Sequence, residues 1–189
     1  MGQLRRDDID RFFDYSLHVP TRTIFIGGEV EEEMAEFFLK AMHVLLAQSS
    51  EPISIIMNSG GGDEYCGLGI YDAIASSHAP VTITLYGMAM SMGSWIPQAA
   101  DDRVMSQHCC MMLHYGSWGY EENAHVARAV AKENERLMKL MEDTYLRRIR
   151  EKQPKYPVAK LRKMLIDETY LTADQALELG LIDRILREW

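Results

Sequence analysis

The sequence is poor in cysteine and in basic charge, and it has no long apolar run. Only Cys66, Cys109 and Cys110 occur among 189 residues. An odd number with two members adjacent gives no disulfide framework and points to a reducing compartment, so a cytoplasmic location is expected. The 20 basic side chains are outnumbered by 28 acidic ones, for a formal charge of -8. That balance excludes a polyanion such as nucleic acid as the main partner. No stretch approaches the roughly 20 apolar residues of a membrane span, and the charged opening "MGQLRRDDIDRFFDYS" has no secretory h-region, so no membrane partner is expected. Met1-Gly2 is not a myristoylation signal either, because Arg6 stands where Ser or Thr is wanted. Linkers, internal repeats and low-complexity stretches are also absent, and a single domain over 1–189 is expected.

What is present is an alternation of short apolar runs and helical patterns. "RTIFIGG" (22–28), "ISIIMNS" (53–59), "VTITLYG" (81–87), "RVMS" (103–106) and "CCMMLH" (109–114) read as strands, with "GLIDRIL" (180–186) as the last. Between the first two, Met34, Phe37, Phe38, Ala41, Met42, Leu45 and Leu46 make one apolar helical face. The glycines of "GGG" (60–62) are expected to break the second strand before helical character resumes at Tyr65. A segment from about 123 to 150 sets Val126, Val130, Leu137, Leu140, Met141 and Tyr145 among charges. It predicts a long helix whose thin apolar stripe needs a surface beyond its own domain. "PVAKLRKML" and "TADQALEL" are two further helices, the latter with a capping box of Thr172 and Gln175. Strands and helices in this order imply an α/β fold of crossover units.

Two features invite chemistry. "MNSGGGDEY" is a glycine-rich turn, but it fits neither the phosphate-binding P-loop nor the dinucleotide fingerprint, and Asp63 and Glu64 would repel a phosphate. In a first helical turn such acids need only the helix dipole to explain them. The glycines serve either a tight turn or the presentation of backbone N–H groups to an oxyanion. In "GMAMSMGSW" (87–95), Ser91 follows a strand and opens a helix. It is either an N-cap or a nucleophile in an elbow resembling Gly-x-Ser-x-Gly, with Ala89 in place of the first glycine.

A serine nucleophile needs a base. His18, His43 and His78 lie in or beside helical patterns, and His125 begins the long helix. His108 and His114 flank the cysteines, yet on a strand Cys109 and Cys110 face opposite ways and the two histidines stand about 20 Å apart, so no metal site is expected. His114, at a strand end, is the best base.

The blocks "GGEVEEEMA", "MNSGGG" with "GIYDAI", "GMAMSMGSW", "MMLHYGSWG" and "YLTADQALELGLIDRIL" resemble, in order and approximate spacing, the proteolytic subunit family of the Clp protease, from about Arg22 to Leu186. The resemblance implies the crossover spiral of β-β-α units that this family shares with crotonases, with a protruding handle helix over about 121–150. It implies an ATP-dependent serine endopeptidase that needs no cofactor and no metal and cuts peptides and unfolded proteins inside two stacked heptameric rings. Carried over by position, Ser91 is the nucleophile and His114 the general base, and the amides of Gly62 and Met92 form the oxyanion hole. Glu168 falls where the family has its catalytic aspartate, with Asp167 as a rival. Other departures bear on partners. Gly60 replaces a proline, Asp167 replaces an arginine, and residues are inserted around "EKQPKYP". The segment 1–21 does not match the axial loop that meets the Clp/Hsp100 ATPase, so that partnership is implied by kinship alone. The alternatives are a non-catalytic ring subunit and an acyl-CoA enzyme of the crotonase fold.

Overall fold

The computed structural model describes residues 16–116 and 124–187. Most of segment 1–21 and the first residues of the expected handle helix lie outside them. Strand β2 (Thr23–Val30), β3 (Ile53–Gly62) and β4 (Val81–Met90) form a parallel core, with helix α1 (Glu32–Gln48) and helix α2 (Glu64–Ala75) as crossovers. Alternate residues of β3 and β4 are buried, including Ile53, Ile55, Met57, Val81, Ile83 and Leu85, as a strand's two-residue period requires. Helix α1 packs Phe38, Met42 and Leu45 inward from the expected face. A short β1 (Leu17–His18) pairs antiparallel with β2, and His18 ends that strand directly before a 3-10 turn over Val19–Thr21, beside a helical segment as expected.

The glycines do not end β3. The strand continues through Gly61 and Gly62, which pair with Glu29 and Val30 of β2 after a register shift. Ser59 secures this irregular stretch: its buried hydroxyl donates to the Gly28 carbonyl at 2.6 Å and accepts from the Gly61 amide at 3.1 Å. Sequence periodicity cannot register such a bulge, because the partner strand supplies the hydrogen bonds that hold it.

On the edge away from β3, strand β4 then serves two neighbours. Its first half, Thr82–Leu85, pairs with β5 (Asp102–Ser106), and its far end, Met88–Met90, pairs with β6 (Cys110–Leu113). Antiparallel to β6 runs β7 (Thr169–Leu171), three residues that have no strand signal in the sequence. Helix α3 (Met92–Trp95) follows β4 and continues as a 3-10 turn over Ile96–Ala99. The long helix α4 (Ala124–Lys152) buries Leu137, Met141, Tyr145, Leu146 and Ile149, from its middle onward. Val126 in the N-terminal half stays exposed, in keeping with a stripe that is only partly used within one chain. After α5 (Val158–Ile166) and β7, α6 (Ala173–Leu179) opens with the expected capping box. Its C-cap, Gly180, takes the left-handed conformation that favours glycine. The last strand is therefore shorter than expected: β8 spans only Arg184–Leu186, and Leu181 and Ile182 are buried in the connection.

A buried guanidinium ties this last segment to the sheet. Arg103 on β5 is 3% exposed. Its Nε and Nη2 donate to the Asp183 carboxylate at 2.8 and 2.6 Å, and its Nη1 donates to Gln98 Oε1 and the Gly180 carbonyl at 3.0 and 3.1 Å. Nothing in the sequence pattern announced this network. Among the described residues no helix is long and apolar enough to cross a membrane.

Candidate active site

Ser91 lies at the end of β4 with φ 53° and ψ -124°, outside the extended conformation of an N-cap, and its hydroxyl caps no amide. The capping reading is thereby corrected. Its backbone is fixed on both sides: the amide donates to the Met112 carbonyl on β6 at 3.0 Å, and the carbonyl accepts from Ser94 and Trp95. The buried Ser94 hydroxyl stands 2.7 Å from the Ser91 carbonyl oxygen and 2.9 Å from that of Met112. With its one proton committed there, it accepts from the Tyr145 hydroxyl at 2.7 Å. The structural hydroxyl of "MSMGS" is thus Ser94, which leaves that of Ser91 without a capping task.

The glycine stretch lies directly against this turn. A Cβ on Gly61 would come within 2.6 Å of Ser91 Cβ and 2.9 Å of the Met92 amide nitrogen. Gly61 and Gly62 have φ of 97° and 151°, which other residues rarely adopt, and a Cβ on Gly62 would stand 2.2 Å from the Val30 carbonyl oxygen. Close approach, not merely turning, explains these glycines. The Met92 amide is the first of α3 and has no intrahelical acceptor.

His114 leaves the end of β6 beside the end of β4, where Met90 pairs with Met112. The β6–β7 register sets Leu113 opposite Thr169 and so brings Glu168 to the histidine. Glu168 Oε1 is 3.4 Å from His114 Nδ1. A carboxylate only accepts, so Nδ1 is the donor, and in the neutral ring Nε2 is then the acceptor. That Nε2 is buried and makes no hydrogen bond among the described residues. The bond between Ser91 Oγ and His114 Nε2 is therefore not formed here, and the ring is held in the acceptor tautomer with its acceptor unused. An orphaned buried acceptor costs about 1–3 kcal/mol, a cost that persists mainly where function requires it.

Glu168 and Asp167 are not the extended pair that alternation suggests. Glu168 has φ 50°, one of four positive-φ non-glycine residues described, and Ser91 is another. Two of the four left-handed non-glycine residues described thus belong to this site. The turn aims Glu168 at His114, while Asp167 C-caps α5 and pairs with Lys163 at 2.5 Å.

The sequence reading missed two elements around His114. Tyr115 donates through its hydroxyl to Glu142 of α4 at 2.5 Å, and Arg162 of α5 holds both oxygens of Glu142 at 2.9–3.1 Å. Burial alone would raise the Glu142 pKa, but the bonds from Arg162 and Tyr115 outweigh it and hold the carboxyl below its ordinary value. This clamp fixes the chain just after the histidine. Of the two acids after the glycines, Asp63 does cap α2 by accepting from the Cys66 amide, whereas Glu64 reaches toward His114 and Gly116. No one-dimensional pattern marks these contacts, since each joins elements far apart in the chain.

Residues 7–188 match the family model described as "Clp protease", beginning upstream of the motif blocks quoted above. The chain is 34% identical over 181 residues to the ATP-dependent Clp protease proteolytic subunit of Deinococcus radiodurans, covering 94% of this chain and 86% of the relative. A solved structure of a ClpP1 point mutant from Listeria monocytogenes superposes with a TM-score of 0.78 at 26% identity, covering 90% of this chain and 94% of the other. The fold is that of ClpP, and the chain belongs to the Clp protease family, a family of serine endopeptidases. It is a homologue of the family's proteolytic subunit.

Proposed function

We propose that Ser91 is the nucleophile, His114 the general base and Glu168 the residue that orients it, in an endopeptidase acting on peptides and unfolded proteins. The observation that carries this reading is His114 Nδ1 held 3.4 Å from Glu168 Oε1, with Nε2 buried and without a hydrogen bond among the described residues, at the strand end adjoining Ser91. On substrate binding, Ser91 Oγ gives its proton to Nε2 and attacks the scissile carbonyl. The Gly62 and Met92 amides hold the oxyanion, and the imidazolium returns its proton to the leaving amine. Water, deprotonated by the same nitrogen, then releases the acyl group. Apo hydrogen bonds of this kind are often long and tighten with substrate.

The working assembly is two stacked heptamers of this chain enclosing the sites, fed by an ATP-dependent Clp unfoldase in the cytoplasm. Exposed Leu39, Val44, Tyr65, Tyr86, Met88, Ile166 and Tyr170 support an apolar contact surface between copies.

The test is treatment with a fluorophosphonate, with the modified residue identified by mass spectrometry. Labelling at Ser91, together with peptide cleavage, is the expected result. Labelling elsewhere or none would favour the non-catalytic ring subunit. Gly61→Ala, whose Cβ meets the Ser91 Cβ at 2.6 Å, is expected to slow both labelling and cleavage by about 100-fold, because a displacement near 1 Å suffices for that.

A further inference from the structure

Glu64 opens α2 two residues after Gly62, so its backbone stands about 7 Å along the chain from an amide assigned to the oxyanion. Its Oε1 comes within 3.6 Å of the point a Gly116 Cβ would occupy, which places the carboxylate against the segment that follows His114. It interacts electrostatically with His114 as well. Glu64 therefore bridges the two walls of the site, one ending in the glycine stretch and the other in the histidine.

The other carboxylates named at this site are already engaged. Asp63 caps α2, Glu168 faces His114 Nδ1 and Asp167 pairs with Lys163. Glu64 has no ion pair or hydrogen bond to any other described side chain; the bond acting on its carboxylate comes from its own backbone amide. Burial, aided by the charge of Asp63, raises its pKa above the ordinary 4.5, against that amide and His114. A helix dipole accounts for an acid in this turn but does not account for its direction across the site. Nor can His114 serve as its counter-charge, since a general base must be neutral when the substrate binds. A half-buried anion beside the reacting centre, with no cation paired to it among the described residues, suits a ligand that brings one.

Resting on the peptidase reading above, we propose that Glu64 is a specificity-determining residue that receives a lysine or arginine side chain of the substrate adjoining the scissile bond. The basic side chain spans the distance from the cleaved peptide group to the carboxylate and forms a charge-assisted hydrogen bond there. An acidic residue at the same place is rejected by like charge.

The experiment uses matched quenched-fluorescent peptides with lysine, norleucine or glutamate on either side of the cleaved bond, and compares kcat/KM for the wild type, Glu64→Gln, Glu64→Asp, Glu64→Lys and Ser91→Ala. The wild type is expected to favour lysine over norleucine by about tenfold, the worth of one hydrogen bond to a charged group. Glu64→Gln should bring that ratio near one, Glu64→Asp should restore part of it, and Glu64→Lys should turn the preference toward glutamate. Added salt should reduce the wild-type ratio. A ratio unchanged in Glu64→Gln, or a wild type that prefers norleucine or glutamate, overturns the proposal while Ser91-dependent cleavage keeps the peptidase reading. Cleavage that survives Ser91→Ala, or no cleavage together with no labelling of Ser91 by lysyl and norleucyl peptidyl phosphonates, overturns both.

Discussion

Ser91→Ala is expected to lower peptide hydrolysis by about 10⁴-fold or more, as loss of a serine nucleophile does elsewhere. The same substitution should scarcely alter the melting temperature. If Ser91 were a helix cap, its removal would cost about 1 kcal/mol of stability and leave catalysis alone. The hydroxyl caps nothing, and Ser94 makes the bonds that hold the turn to β6 and α4. Kinetics and calorimetry on one variant therefore separate the two readings cleanly. Glu168→Gln should be less severe than Ser91→Ala, because it loosens the orientation of His114 and leaves the nucleophile in place. Added to Ser91→Ala it should change almost nothing, since members of one catalytic unit are not additive.

The second large effect concerns stability. Asp183→Ala strands the Arg103 guanidinium, 3% exposed, with only Gln98 and the Gly180 carbonyl as acceptors. Removing one member of a buried pair costs about 3–5 kcal/mol, and since Asp183 keeps part of its solvent contact the lower end, about 3 kcal/mol, applies. For a chain of this size that is a fall of roughly 6–12 °C in melting temperature. Replacing both partners by apolar residues, Arg103→Met with Asp183→Leu, should recover much of the loss, because no charge is left buried.

The pair also has a pH signature. Burial tends to raise the Asp183 pKa, but the hydrogen bonds and charge of Arg103, with the charge of Arg148, outweigh it and hold the carboxyl below 3.8. A depressed folded-state pKa gives stability that is present above the unfolded value and lost as pH falls through the folded one. The wild type should therefore lose this contribution below pH 3.8, and Asp183→Ala, lacking it already, should show a flatter acid limb in thermal unfolding.

Much of this was legible along the chain. The strand and helix alternation, the apolar face of α1, the capping box of α6 and the long α4 all follow from periodicity and local hydrogen bonding, which sequence records directly. The family followed from five motif blocks in one order. What escaped were features whose cause lies on another element. Strand β7 exists because β6 offers it an edge, and β3 runs on through its glycines because β2 holds Gly61 and Gly62. Which of Asp167 and Glu168 faces His114 depends on the left-handed conformation of Glu168, just past the end of α5, where alternation had suggested an extended segment. The Arg103 network and the Glu142 clamp join residues whose partnership no spacing rule describes.

The shared strand β4 has a consequence for how such a site varies. Its neighbours β5 and β6 are joined by the short turn Gln107–Cys109, so the histidine's reach toward the serine is measured from the anchored half of the strand by that turn. Lengthening or trimming it by a single residue would slide the imidazole out of step while the main sheet kept its pairing, which makes this loop a ruler for the chemistry and an economical place for a relative to fall silent.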